Sequence, residues 1–430
     1  MFTINRDFPL KDQGISNALN SGDLPRHRWY FIKEAFSPRL VETAIESENV
    51  AKGDLLFDPF SGGGTVPVTG AAHGMKTHSL ELNPFLRFLS ATKLAQAHSA
   101  ALLKSSAIVK KGMNHPVCSS LEGRSTFTEG NRWKRWLFPL TVLRAYEGGR
   151  QALRNVSPTH RSLLRLGLIG AALDCCNASR DGKCLRFSKS WKESECSAEA
   201  LASRFERRVE LLAEDVDKLP LNDVRARVTH GDARKVICSM LKQKFRLCVT
   251  SPPYLNSFDY SDVYRPELFL GGFVNSNKAL MKIRMQTVRS HVQASWTRPK
   301  RSEFGALYSN CISEIRDAAE NLWNPRIPTM IQAYFEDMEK VLRDLHRRAL
   351  DNASVWLVVS TSAYGGVQVP VDLILAEIAE RAGWFLREVG VLRHLRSSSQ
   401  HVKHVHDVRQ KSVPLRESVV ILDARRPSKI

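Results

Sequence analysis

Leu55-Leu56-Phe57-Asp58-Pro59-Phe60-Ser61-Gly62-Gly63-Gly64-Thr65 is the stretch on which the fold turns. Three apolar residues closing on an acid read as a short buried strand. The three glycines that follow let the backbone turn tightly and approach a ligand with no Cβ in the way, and residues 66–73 then look helical, with unpaired N–H groups at their start. A second strand over residues 77–80 runs into Glu81-Leu82-Asn83-Pro84. Glu81 stands about 20 residues beyond the glycine turn, the distance at which a βαβ unit sets a carboxylate against ribose hydroxyls. The loop is not G-x-G-x-x-G and lacks the Lys of a phosphate-binding loop. A nucleoside-bearing ligand without phosphates therefore suits it better than a dinucleotide or a nucleoside triphosphate.

Thr250-Ser251-Pro252-Pro253-Tyr254 arrives straight off the apolar run at residues 246–249. Two consecutive prolines have no N–H donors and fix φ, so they end a central strand and stiffen the edge beyond it while their carbonyls remain acceptors. With a hydroxyl before them and an aromatic ring after them, they make a rigid mouth suited to a planar amine. Taken alone, these residues also read as a strand ending in a Pro-Pro turn with a core tyrosine.

Together, D-P-F-S-G-G-G-T, E-L-N-P and T-S-P-P-Y resemble the S-adenosylmethionine-dependent amino-methyltransferases of DNA, which methylate the exocyclic amine of cytosine or adenine. The resemblance implies an α/β, Rossmann-like class I methyltransferase fold with a seven-stranded, mainly parallel sheet, and S-adenosylmethionine as cofactor. It assigns Asp58, Pro59, Phe60, Ser61, Gly62, Gly63, Gly64 and Thr65 to the cofactor loop, Glu81 to the ribose with Asn83 beside it, and Asp232 to the adenine amine. Phe36 and Ser37, ahead of the loop, match a segment that closes over the methionine part of the cofactor. Ser251, Pro252, Pro253 and Tyr254 become the catalytic motif, in which a flipped base stacks on Tyr254 while Ser251 and the Pro252 carbonyl accept from its amine. Double-stranded DNA is then the substrate, with a cognate restriction endonuclease as a candidate partner. Many relatives with this motif order carry Asp or Asn before Pro-Pro-Tyr, whereas Ser251 is more typical of cytosine N4 methylation; adenine N6 stays open. An RNA amino-methyltransferase and an inactive nucleic-acid-binding relative are the remaining alternatives.

Composition agrees with a polyanionic partner. The 430 residues carry a formal charge of +19 and a pI near 9.7, with 43% hydrophobic residues to build a core. No apolar run approaches about 18 residues, and no apolar signal core marks the first 19, so a cytoplasmic protein without a membrane span is expected. Eight cysteines without a C-x-x-C pair, and a His401, His404, His406 cluster in a basic stretch, give no metal site.

The cofactor loop precedes the catalytic motif, so the widest room for target recognition lies between the second and third strands. The expected organisation is a discontinuous catalytic domain over 1–95 and 205–430 and an inserted, mainly helical recognition region over 96–204. Residues 1–99 balance at ten basic and ten acidic side chains, while 100–227 carry 23 basic against 14 acidic. Within the insert, Arg132, Trp133 and Arg135 mix cations with rings, and Arg180, Lys183 and Arg186 sit in a polar stretch; all six are candidate nucleic-acid contacts. Residues 268–302 hold seven basic and no acidic side chains, Arg284 and Arg289 among them, and read as a basic loop or strap along phosphates. The closing strand is expected near the last residues of this sequence, so target recognition is not expected after it.

Overall fold

Short apolar runs bounded by turn formers make strands, and here they assemble into one large sheet. The computed structural model describes residues 3–18, 21–181, 184–189, 191–193, 196–221, 225–256, 258–395 and 413–425. Its strands in chain order are β1 (Ile4–Asn5), β2 (Leu55–Asp58), β3 (Lys76–Glu81), β4 (Ala178–Asp181), β5 (Cys184–Phe187), β6 (Ala226–His230), β7 (Phe245–Thr250), β8 (Ala349–Ser360), β9 (Ser362–Tyr364), β10 (Val367–Val369), β11 (Phe385–Leu395) and β12 (Leu415–Asp423). The main sheet runs β1-β11-β12-β8-β7-β2-β3-β6. Strands β6, β3, β2, β7 and β8 are parallel, and β12 lies antiparallel between β8 and β11. This is a Rossmann-like α/β fold. The expected seven strands are all present, and the two-residue β1 adds an eighth at the β11 edge.

Side-chain alternation divides the sheet's apolar residues between two layers. Phe57 and Cys248 point into one core with Tyr334, Met338 and Leu342 of the Ile327–Arg348 helix, while Leu56, Leu247 and Val249 point into the other with Leu40 and Val41 of the Pro38–Ser47 helix. Both faces being covered, β2 and β7 read as unbroken apolar runs. Strand order reverses between β2 and β7, and open α/β sheets bind ligands beyond the C-terminal ends of the strands at such a point.

Between β3 and β6 the chain leaves the sheet to form helices Ser99–Met113, Leu140–Ala152, Pro158–Asp174 and Ala198–Lys218, with the β4–β5 hairpin. Leu102, Val142, Leu164, Ile169 and Phe205 form their apolar centre. That centre also takes in Phe85 and Leu89 of the Pro84–Lys93 helix and Tyr264, Leu268 and Phe269 from beyond the catalytic motif. The helical layer is thus welded to the sheet layer on the side where the strands end.

The stretch read as a basic strap is differently built. Residues 268–302 begin in the Arg265–Leu270 helix and include the Asn277–Arg284 helix, and Val288, Arg289, Ser290, His291 and Val292 are buried. It is a wall of the molecule. Arg284 pairs with Asp259 at 2.5 Å, and Arg289 pairs with both Glu336 and Asp337 at 2.6 Å. Their guanidinium groups are engaged by internal carboxylates, which corrects the expectation that they lie on phosphates.

Candidate active site

The ends of β2, β3, β6 and β7 open into one cavity of about 320 Å³. The Asp58-Pro59-Phe60-Ser61-Gly62-Gly63 turn, Thr65, Glu81, Asn83, Asp232 and the Ser251-Pro252-Pro253-Tyr254 motif all line it, as does Phe36. Residues scattered over more than half the sequence thus meet around a single void. Ser37 and Gly64 do not line it. Ser37 is buried and caps the Pro38–Ser47 helix by accepting from Arg39 N at 3.3 Å. Gly64, at φ +84°, turns the chain into the Thr65–Ala72 helix, and a Cβ there would stand 2.7 Å from Ser90 Oγ.

Hydrogen bonds tie the two motifs to each other. Asp58, at the end of β2, accepts from Phe60 N at 3.0 Å and from Thr250 Oγ1, at the end of β7, at 2.7 Å. Burial pushes the Asp58 carboxyl up to about 7, against the opposing pull of the Thr250 and Phe60 bonds and with Glu81 adding to the rise. Glu81 accepts from Gly62 N and Asn83 N, both at 2.8 Å, so one carboxylate holds the glycine turn and the start of the next helix. Burial raises its pKa as well, and the backbone donors from Asn83, Gly62 and Leu82 oppose the rise. Asn83 in turn caps that helix, accepting from Phe85 N at 3.0 Å. Asp232 caps the Ala233–Met240 helix and pairs with Arg234 at 2.8 Å, and Arg234 reaches on to Asp337 at 2.8 Å.

Beneath the glycine turn, Lys93 is buried and donates to the His27 carbonyl at 3.2 Å; burial lowers its pKa to about 7. At the catalytic end, the Tyr254 hydroxyl donates to Glu417 on β12 at 2.6 Å, and Arg393 on β11 donates from Nε to the same carboxylate at 2.6 Å. Glu417, Arg393, Tyr260, Tyr264 and His291 all line the cavity and carry no motif. Proximity in sequence gives no sign of Glu417, since it lies 163 positions from Tyr254. The aromatic and turn-rich composition after Tyr254 does flag Tyr260 and Tyr264 as candidates for a target pocket.

Of the candidate nucleic-acid contacts, Arg132, Trp133 and Arg135 are exposed, and Arg132 lies over the Trp133 ring at 4.6 Å. Arg186 is exposed on β5. Lys183 and the His401, His404, His406 cluster lie outside the described residues. Arg180 is a correction: it is bonded to the Tyr30 hydroxyl and Glu267 and lies 4.7 Å over the Tyr264 ring. Glu267 is 1% exposed, and its buried charge requires a cation in place.

Relatives bear on the whole chain. The type II methyltransferase M.BsoBI of Geobacillus stearothermophilus is 22% identical over 91% of this chain and 85% of its own length. M.AvaI of a Nostoc species, also a type II methyltransferase, is 24% identical over 89% of this chain and 84% of its own length. This chain is a relative of the type II methyltransferases. The resemblance read from its three motifs therefore holds. A shorter likeness, 33% identity over 16% of this chain and 15% of the relative, joins it to the type II methyltransferase M.MvaI of Kocuria varians. No protein-family model matches the chain. Among solved structures, TrmN from Thermus thermophilus superposes with a TM-score of 0.29 at 10% identity, covering 90% of this chain and 49% of that one. A TehB-like S-adenosylmethionine-dependent methyltransferase from Corynebacterium glutamicum gives 0.28 at 9% identity, covering 89% and 86%. The fold rests on the strand order instead.

S-adenosylmethionine is the cofactor of this methyltransferase, and the cavity suits it. Its floor is a turn in which Gly64 has no space for a Cβ, and acids stand at the ends of β3 and β6 where a nucleoside's hydroxyls and amine need acceptors. Among the described residues no metal-ligating cluster is present, and no helix is long and apolar enough to cross a membrane.

Proposed function

We propose that this methyltransferase acts on double-stranded DNA, methylating the exocyclic amine of a flipped base, with cytosine N4 as the target, as part of a restriction-modification system. The observation that carries the reading is the Ser251-Pro252-Pro253-Tyr254 mouth facing the cofactor turn across one cavity, with Thr250 bonded to Asp58 between them. Bound S-adenosylmethionine supplies an electrophilic methyl group on a sulfonium. Ser251 Oγ and the Pro252 carbonyl accept from the amine and aim its nitrogen, offsetting delocalisation into the base. Tyr254 offers its ring face to the base. Glu81 receives the ribose, Asp232 the adenine amine, and Phe36 closes over the methionine end. Positioning of this kind is worth about 7–11 kcal/mol of a bimolecular barrier. Flipping costs a few kcal/mol, and stacking on an aromatic ring returns about 1–3 kcal/mol.

The duplex is placed against the helical insert. Arg135, Arg186, Lys189 and Trp191 line a second cleft, backed by a Trp136–Trp191 edge-to-face pair at 4.7 Å, and exposed Arg132 and Trp133 lie in the chain segment leading to Arg135. The three cations Arg135, Arg186 and Lys189 along one cleft suit phosphodiesters.

Incubation with labelled S-adenosylmethionine and either duplex DNA or total RNA, followed by nucleoside mass spectrometry, tests the reading. N4-methylcytosine in DNA is the expected product. N6-methyladenine would replace the target base, and label confined to RNA would replace the substrate.

A further inference from the structure

Arg393 and Glu417 stand directly opposite each other on β11 and β12, and the register between these strands shifts between Val391 and Arg393. Such a bulge places an extra residue in one strand and re-aims the side chain beside it, a device frequent at the rims of sites. Here it sits where Arg393 and Glu417 line the cavity. Glu417 is only 2% exposed, with one oxygen accepting from Arg393 Nε and the other from the Tyr254 hydroxyl, each at 2.6 Å. A phenol has a single hydrogen. Once that hydrogen is directed at a buried carboxylate, the Tyr254 oxygen has only lone pairs left for every other neighbour.

We propose that Glu417, paired with Arg393, is a positioning residue that fixes the Tyr254 hydroxyl as a donor to Glu417. The same bond anchors the far end of the Tyr254 ring, so its stacking face is set by the last strand of the sheet. Burial and the Glu417 carboxylate push the Tyr254 hydroxyl well above its ordinary range, consistent with a hydrogen held on the phenol.

The effect on turnover rests on the methyl transfer proposed above, whereas the Glu417–Tyr254 bond is tested without turnover. Glu417→Gln keeps shape but offers an amide that can donate, so the Tyr254 hydroxyl is no longer held as a donor. With 3,5-difluorotyrosine at position 254, chosen because its hydroxyl ionises nearer neutral pH, fluorine NMR should show ionisation moving to lower pH in E417Q. An unmoved titration would overturn the contact itself. In turnover, E417Q should lose about a hundredfold in kcat, the scale set by a misplaced reacting group, with KM for DNA and for S-adenosylmethionine within about twofold of wild type. Glu417→Gln combined with Tyr254→Phe should be no slower than Tyr254→Phe alone, because both remove the same bond. Additive losses, or wild-type kcat in E417Q, would sink the positioning role. If wild type methylates no DNA amine while the fluorine titration still moves, the reaction assignment fails and the anchoring of Tyr254 stands.

Discussion

The wall at residues 284–301 and the insert cleft at Arg135, Arg186 and Lys189 are both basic in sequence, and the fold treats them in opposite ways. In the wall, Arg289 lies against Asp337 and Glu336, and Arg284 against Asp259. In the cleft, Arg135, Arg186 and Lys189 remain exposed, with Phe187 and Trp191 behind them. A local excess of positive charge therefore does not mark a polyanion surface. What separates the two is whether the fold buries the cations or leaves them at the surface. Asp337 belongs to a helix whose apolar face is buried in the sheet core, so its position is fixed by that packing.

The sharpest way to break the contrast is Arg289→Ala. Removing one partner of a buried pair costs about 3 kcal/mol, a loss that urea unfolding should show, while the salt dependence of DNA binding stays at its wild-type slope. Loss of DNA binding without loss of stability would return this arginine to the phosphates. Arg180→Ala belongs with the wall for the same reason, since Glu267 is left without its cation, and a stability loss of similar size is expected. Gly64→Ala, at φ +84° and against Ser90, should cost about 1–3 kcal/mol and weaken S-adenosylmethionine binding measured by calorimetry. Unchanged affinity would mean the turn does not shape the cofactor floor.

A pH-dependent effect follows from Asp58. Its carboxyl keeps a proton in the folded state up to about 7, while the unfolded chain releases it near its ordinary value of 3.8. The folded state binds more protons in that window, so Asp58 contributes less to stability as pH rises from about 4 to 7. Asp58→Asn should flatten that part of the stability profile, and an unchanged profile would contradict the shift. Smallest in free energy is Lys189→Ala in the cleft: stability within about 0.5 kcal/mol of wild type, and a salt slope for duplex binding lower by about 0.9. An unaltered slope would take Lys189 out of the interface.

Much of the sheet was legible. Residues 55–58 and the Ser37–Pro38 helix start are found where local pattern places them, and 77–80 and 246–249 fall inside β3 and β7. Apolar runs, glycines with positive φ and prolines act over a few residues, and a short window contains all they need. The β4–β5 hairpin within a helical insert was not expected, since Ala178–Asp181 and Cys184–Phe187 are too short and too polar to announce a strand.

The sequence by itself determined the three motifs, their order, the type of sheet that must join them and the kind of cofactor that their residues accept, because each depends on backbone chemistry within one loop. Only the tertiary structure decided that Thr250 locks onto Asp58, that Arg284 and Arg289 face inward, and that Glu417 holds Tyr254. Those contacts join side chains brought together by strand pairing and helix packing, and a carboxylate's partner is chosen by where the fold leaves it buried.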